Sequence, residues 1–470
     1  MEVVTSLRRN FGQEHFEAVQ LGDRRRHRRL VELAQRLIEH PSGTLPKRMK
    51  DHAQLTALYR LMDCPQVTHA AVLEPHRQRT LELMSQQDVV LIVHDSTELD
   101  YSTHKSLTNL GQIGNGSGRG YICHNSLALT PDRRVLGIAS QLLHTRRHVP
   151  EGETAQQKRA HPQRESLLWV AACKSIGPAP AGSRWIDIAD RGSDTFEFVA
   201  YCIRQQRQFV IRSARNRNLF GEDHVATDRI HQKLHAYTRD LPELGRRSVQ
   251  VPAAVGKHKQ RQAQVRVAAA AVSIRVPSFV RGQTDGEQSL DLWVIHVQEI
   301  DPPAGVEPLE WILLSNLPSG TFEHACQRIQ WYQCRPVVEE FHKGKKTGAS
   351  VQDLQFESED RLEPMIALLS VVTVTLLQLR QLAREPDSQD TLATDLVPRI
   401  YVQVLSAERQ GNTRDDLSVH DFCMMLGGLG GHLGRKHDGF PGWLTLWRGW
   451  SDLVLMVKGV EAFHGRTQDV

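Results

Sequence analysis

Residues 88–97 read Asp88-Val89-Val90-Leu91-Ile92-Val93-His94-Asp95-Ser96-Thr97. The apolar run Val89–Val93 does not alternate with polar residues. A strand with one wet face alternates, so this one is read as buried on both faces, a central strand of a layered sheet. It is expected to end at His94-Asp95, which sets an acid at the edge of the sheet. A second run, Trp185-Ile186-Asp187-Ile188-Ala189, ends in the same way at Asp190-Arg191-Gly192-Ser193-Asp194.

Between them lie two strand-like segments, Tyr121–Leu129 and Val135–Leu143. They are joined by Thr130-Pro131-Asp132-Arg133-Arg134, a hairpin turn. Helical patterning around Glu165–Lys174 leads into the second buried strand. A helix and a third strand, Gln208–Arg212, follow. Strand, hairpin, helix, strand, helix, strand is the order of an RNase H-like mixed sheet, so the fold class is α/β. The glycine-rich Gly114-Asn115-Gly116-Ser117-Gly118-Arg119-Gly120 lacks the Gly-Lys-Ser/Thr of a P-loop and reads as a flexible active-site loop.

This core, residues 88–384, is expected to carry a β-rich insertion at about 215–320. Its strands are Val249–Val255 (weakened by Pro252), Ala263–Val276 and Leu290–Glu299, with a basic loop at Lys257–Arg261. Helical patterning resumes near Thr321 and runs to about Arg384. Residues 1–87 read as helical: Leu30, Leu33, Ala34, Leu37 and Ile38 recur at helical spacing behind an Asp23 N-cap. Pro386–Asp395 resembles a linker. The 385–470 tail is helical beyond Ser418, with Trp443, Trp447, Trp450 and Val454 spaced four, three and four along one seam. That seam suits either the core of one chain or a contact between two, and the second is expected.

The chain has 470 residues and a net charge of +4, too modest for a histone-like protein. Charge placement says more. Residues 1–50 hold eleven Lys/Arg against six Asp/Glu, and five of those arginines lie in Arg24-Arg25-Arg26-His27-Arg28-Arg29. Such a cluster suits a polyanion or a solvated helix face. Seven scattered cysteines without a C-x-x-C pair argue against a disulfide framework or a structural zinc site. The N-terminus lacks a secretory pattern. Met365–Leu379 is too short to span a bilayer and reads as a core helix, so no membrane partner is expected.

Two acids at neighbouring strand ends repel one another unless a cation joins them. Mg²⁺ or Mn²⁺ suits a carboxylate and water environment, and a third acid completes a two-metal clamp for phosphoryl transfer. Singly, such residues are more often turn caps. The third acid is offered by Trp331-Tyr332-Gln333-Cys334-Arg335-Pro336-Val337-Val338-Glu339-Glu340-Phe341-His342-Lys343-Gly344-Lys345-Lys346. Tyr332, Arg335, Glu339 and Lys346 are spaced three, four and seven, which puts them near one face of a continuous helix. Proline inside a helix removes a hydrogen bond, so the helix is expected to begin or kink at Pro336.

These residues resemble the DDE transposases of the insertion-sequence-four group. The group's Y-x-x-R-x-x-x-E-x-x-x-x-x-x-K signature is matched by Tyr332, Arg335, Glu339 and Lys346. Its two aspartate motifs are matched by Asp95-Ser96-Thr97 and by Asp190-Arg191-Gly192-Ser193-Asp194. The likeness extends to Leu21-Gly22-Asp23-x-Arg25, in a region of transposon-end recognition, and to Leu429-Gly430-Gly431 with the Trp443–Trp450 helix, in a region of dimerisation.

The resemblance implies that Asp95, Asp190 and Glu339 are the catalytic acids and hold two Mg²⁺ or Mn²⁺ ions. It implies DNA contacts by Tyr332, Arg335, Lys346, Arg212 and the N-terminal Arg25, Arg28 and Arg29. Trp311, 21 residues before Tyr332, would stack on a base extruded as a DNA hairpin forms. By its residues alone, Trp311 reads as a core tryptophan in a strand. Pro336 stands where such enzymes carry a second tryptophan. The function implied is cut-and-paste transposition: cleavage at transposon ends through a hairpin, then strand transfer into target DNA. It would be carried out by a homodimer in a bacterial cytoplasm, at the nucleoid. Two other classes stay open, an RNase H-like nuclease without strand transfer and a non-catalytic DNA-binding regulator.

Overall fold

A computed structural model describes residues 11–40, 43–49, 51–221, 225–226, 229–230, 232–251, 261–278, 287–435 and 438–467. Pro252 and most of the basic loop, Lys257–Gln260, lie outside the described residues. Five helices come first: α1 (Phe11–Phe16), α2 (Arg24–Glu39), α3 (Leu45–Arg48), α4 (His52–Met62) and α5 (His69–Ser85). Asp23 caps α2 by accepting the Arg25 backbone N–H at 2.6 Å. Leu30, Leu33, Ala34, Leu37 and Ile38 form its buried stripe, as their spacing predicts, and Arg25, Arg28 and Arg29 are exposed on it.

The centre is a ten-stranded sheet. Its first strands are β1 (Val89–Asp100), β2 (Gly111–Ile113), β3 (Gly118–Leu129), β4 (Val135–His144), β5 (Arg184–Ala189) and β6 (Gln208–Arg212). A separate two-stranded piece, β7 (Val225–Ala226) and β8 (Arg229–Ile230), precedes β9 (Gly245–Val251), β10 (Arg261–Arg275), β11 (Ser289–Glu299) and β12 (Glu310–Ser315). The order is β2-β3-β1-β5-β6-β12-β11-β10-β9, with β4 also on β3. β1, β5 and β6 are mutually parallel, while β3 runs antiparallel to β1. Strands β9–β12 extend the same sheet, because β12 pairs with β6.

The unbroken apolar run of β1 has the expected cause. Val90 and Ile92 pack with Ile176 and Trp185 on one face, while Leu91 and Val93 join the large core on the other. Two expectations fail here. β1 does not stop at Asp95. Its parallel pairing with β5 ends at His94–Ala189, but antiparallel pairing with β3 continues to Asp100–Gly120. The glycine-rich segment is a β2–β3 hairpin, not a loose loop. Gly120 is required at that crossing, where a side chain would strike the Leu99 carbonyl.

The intervening helices are α6 (Ala155–Ala160), α7 (Leu168–Ile176), α8 (Phe196–Arg204) and α9 (Leu234–Arg239). After β12 come α10 (Phe322–Tyr332), α11 (Pro336–Lys343), α12 (Glu359–Leu382), α13 (Arg399–Gln410), α14 (Val419–Leu429) and α15 (Trp443–Thr467). α12 is apolar all round because it is enclosed, with its apolar stretch 94% buried. It packs on α5 and β4. The tryptophan seam of α15 is a correction. Trp443, Trp447, Trp450 and Val454 are buried within this chain, so they are core and not a contact between copies. Trp450 stacks on Tyr401 of α13, a helix that the sequence pattern does not disclose. Trp443 lies against Gly344, where any larger residue would collide with the indole.

Candidate active site

Period-two alternation places the first groups of the site. Leu91 and Val93 of β1, Ile186 and Ile188 of β5, and Val210 of β6 all face one core. Two residues further on, Asp95, Asp190 and Arg212 project to that face from adjacent strands. The register sets them side by side, since His94 pairs with Ala189 and Ala189 with Ile211. Glu339 comes from the first turn of α11, which packs across β1 and β3.

One side chain joins the three acids. Arg335 sets Nη2 3.0 Å from Asp95 Oδ2 and 3.6 Å from Asp190 Oδ2, and its Nη1 bonds to Glu339 Oε1. Burial pushes the Asp95 carboxyl up to about 6; Arg335 opposes that, while Asp190 and Glu339 add to it. Three carboxylates thus compete for one guanidinium, and the site has more negative charge than cation. Ser96 N–H donates to Asp95 Oδ1 at 2.9 Å, and Gly192 N–H donates to Asp190 Oδ1 at 2.8 Å. Asp95 is held by the next amide of its own strand and Asp190 by the turn it caps, each with its Oδ2 directed to Arg335.

The signature does not lie on one continuous helix. Tyr332 closes α10, Arg335 is the residue before α11, Glu339 is on α11, and Lys346 is in a π-helical turn, Gly344–Gly348. The cause is Pro336 at the first position of α11. Lacking an N–H it starts a helix readily, and the flanking amides bond three residues back instead of four. The break aims Arg335 along the acids. The π turn holds Lys346 half-buried beside β1, where burial and Lys345 lower its pKa while Glu98 and Asp100 oppose this.

Arg212 donates to the Glu310 carbonyl at 2.8 Å and bonds to the Tyr332 hydroxyl. Trp311, at the start of β12, is half-buried and meets Tyr332 edge to face, with ring centroids 5.5 Å apart. Tyr332, Arg335, Arg212 and Trp311 therefore form one continuous wall beside the acids. Arg25, Arg28 and Arg29 lie elsewhere, on α2. Arg28 and Arg29 both pair with Glu32 there, at 3.0 and 3.4 Å.

Several supporting residues escape a sequence reading. His342 stands one turn beyond Glu339, its Nδ1 3.8 Å from Asp95 Oδ2. Burial keeps it neutral. Its Nε2 accepts from Asn125 at 2.9 Å, and the Asn125 Oδ1 accepts from Gln141 at 2.7 Å and from the fully buried Lys345 at 3.2 Å. Asp194 accepts the Ala214 and Arg215 N–H groups at 2.7 Å and pairs with Arg217, bracing the chain after β6. On the other face of β1, His94 and Arg207 share the buried Asp187, at 3.0 and 2.8 Å. Burial works against charge on His94, but Asp187 and Cys173 outweigh it and push the imidazole up to about 9. His94, Cys173 and Asp187 cluster closely enough to suggest a metal site, yet Arg207 and His94 already occupy both Asp187 oxygens. Only the neighbouring positions of His342 and Asp194 within the motifs could have signalled any of these.

Residues 8–67 match the family model for transposase DNA-binding. This is the part of the chain that carries the exposed arginines of α2. The match supports a transposase, and with it a DNA-processing enzyme whose partner is DNA.

Proposed function

We propose that this chain is a DDE cut-and-paste transposase of the insertion-sequence-four group, similar to the transposon-five transposase, with an RNase H-like catalytic core. The observation that carries this reading is the convergence of Asp95, Asp190 and Glu339 on one guanidinium. The strand order β4-β3-β1-β5-β6, a hairpin on one side of β1 and two parallel strands on the other, supports the core.

The donor set fits hard divalent cations: three carboxylates, with Asp95 raised by its acidic neighbours. Asp95, Asp190 and Glu339 would hold two Mg²⁺ or Mn²⁺ ions, which supply Lewis acidity and an activated water for in-line displacement at phosphorus. Arg335, Tyr332, Arg212 and Lys346 orient the phosphates of the end being cut. A nick frees a 3′-OH, whose attack on the opposite strand gives a hairpin while Trp311 stacks on the displaced base. The reopened end then attacks target DNA. Arg25, Arg28 and Arg29 hold the transposon end away from the chemistry. Two copies would pair the two ends. Leu444 and Leu455, exposed eleven residues apart on α15, offer a face for that contact which the tryptophan seam cannot.

The test is metal-dependent cleavage of duplex DNA carrying the element's own ends. Asp95→Ala, Asp190→Ala and Glu339→Ala should each abolish cleavage and leave end binding within about threefold, because affinity comes mainly from phosphate contacts elsewhere. Substantial cleavage by any one of them overturns the reading.

A further inference from the structure

On the α9 side of the sheet edge, next to Asp190, lies a cavity of about 300 Å³ lined by Arg191, Arg212, Ser213, His235, Arg239 and Glu310, among others. Its charges do not balance. Three arginines face a single carboxylate, and Arg239 already holds both Glu310 oxygens at 2.8 Å. His235 neither adds to the positive excess nor offsets it: burial lowers its pKa, with Arg239 acting the same way, and its Nε2 is engaged by Ser213 Oγ at 3.1 Å. Of the other acids nearby, Asp190 is turned to Arg335 and the Gly192 N–H, and Asp194 is sealed behind the wall by Arg217 and the 213–215 backbone. Burial lowers the Arg212 pKa, Tyr332 opposes this, and Arg191 and Arg335 lower it further. Arg191 has no ion pair among the described residues and follows Asp190 directly.

A concave site with two uncompensated guanidinium groups selects an oxyanion that a planar fork can grip, which is a phosphate. We propose that this cavity holds a backbone phosphate of the DNA strand engaged at the acids, with Arg191 and Arg212 as its grip, Arg212 being shared with the catalytic wall, and with Arg239, neutralised by Glu310, bounding the site. The site rests on the transposase reading and adds to it a second anchor, one strand width behind Asp190. Glu310 sets Arg239 in place through the paired bonds, and His296, 3.0 Å from the same carboxylate, fixes Glu310 in turn. That boundary is therefore preorganised, and the anchor involves none of the three acids.

The experiment measures binding of full-length protein to a duplex carrying the element's own end, without divalent cation, across a salt series. Arg191→Ala, an exposed position whose loss leaves the fold alone, should weaken binding on the order of tenfold. It should also lower the slope of log affinity against log salt by about one, the signature of one phosphate no longer neutralised. Neutral methylphosphonate linkages, placed singly around the cleavage position, should reveal one linkage that weakens the wild type and has no effect on the variant. Arg191→Lys should recover part of the affinity and the slope. An unchanged slope together with an unchanged interference pattern in Arg191→Ala overturns the site while leaving the transposase reading intact. Wild-type protein that does not discriminate the end from unrelated duplex overturns both. Calorimetry with inorganic phosphate gives the last arm: phosphate binding abolished in Arg191→Ala, with DNA binding unaltered, would make the cavity a site for free phosphate and overturn the DNA assignment.

Discussion

The Arg335 guanidinium lies 3.0 Å from the Asp95 carboxylate and also reaches Asp190 and Glu339, so one cation serves as counter-ion for the whole acid cluster. Any divalent ion held by these acids must compete with it. Arg335→Ala should therefore bind Mn²⁺ more tightly than wild type when no DNA is present, by roughly tenfold. That corresponds to about 1.4 kcal/mol, modest beside the attraction of charges at this distance. The same change should weaken end binding, because the phosphate loses a partner. Calorimetric Mn²⁺ titration of both proteins decides it; equal or weaker metal binding by the variant would show that Arg335 and the metal do not share these oxygens.

Asp95 makes the metal site sensitive to acid. Its carboxyl is pushed up to about 6, chiefly by burial, and only the ionised form is a good ligand. Mn²⁺ affinity should be nearly flat above pH 7 and fall about tenfold per unit once pH drops below about 6. A titration that stays flat down to pH 4.5 contradicts this placement of Asp95.

How much of this was legible in the sequence follows from the range of the forces involved. The β1 run, the β3–β4 hairpin and the α2 stripe are set by local period and burial, so Val90, Leu91 and Leu30 disclose their own surroundings. The acids were legible as residues and their meeting was inferable from strand order. The end of β1 was not, because the backbone of Ser96–Asp100 pairs with β3, 20 to 28 residues further along the chain. The seam on α15 looked the same whether its cover came from this chain or another, since periodicity states that a face is buried and not by what. Lys345 reads as a surface lysine beside Lys346. Its burial depends on the π turn and on Asn125, 220 residues earlier.

The buried group behind the site should govern stability. His94 titrates at about 9 in the folded chain against about 6.5 unfolded. A raised pKa means that its contribution is fully present below about pH 6.5 and is lost as pH rises through 9. Asp187 is held far below the usual carboxylate range, burial being overcome by Arg207 and His94, so its contribution is present above about pH 4 and lost below it. Asp187→Asn would leave Arg207 as a buried cation without its anion and remove what holds His94 protonated, a loss of about 3–5 kcal/mol. Urea unfolding at pH 6, 7.5 and 9 should show that loss, together with the disappearance of the alkaline decline. A variant within 1 kcal/mol of wild type would mean the cluster is already solvated.

For α2, the exposed Arg25, Arg28 and Arg29 should act through phosphates. Replacing all three with Ala should lower the slope of log affinity against log salt by about two to three, near one unit for each phosphate left unneutralised. Helix content should not change, since the buried stripe is untouched and the Asp23 cap bonds to the backbone of residue 25, not its side chain. An unchanged slope would reduce the cluster to a solvated face paired with Glu32.

Trp311 separates a hairpin-forming transposase from a plain nuclease. It is half-buried at the start of β12 and meets Tyr332 edge to face. The first nick needs the acids and water, and Trp311→Ala should leave it near normal. Hairpin formation forces the opposite strand to bend and expel a base, and without the indole that base loses roughly 1–3 kcal/mol of stacking. The step should slow about five- to 150-fold, so nicked ends accumulate. Pro336 supplies no second aromatic wall, which places the effect toward the low end of that range. Deleting the base at the extrusion position should restore part of the rate, because no unstacking is then required. Equal slowing of nicking and hairpin formation, with no rescue by the abasic substrate, would mean that Trp311 serves only to pack Tyr332.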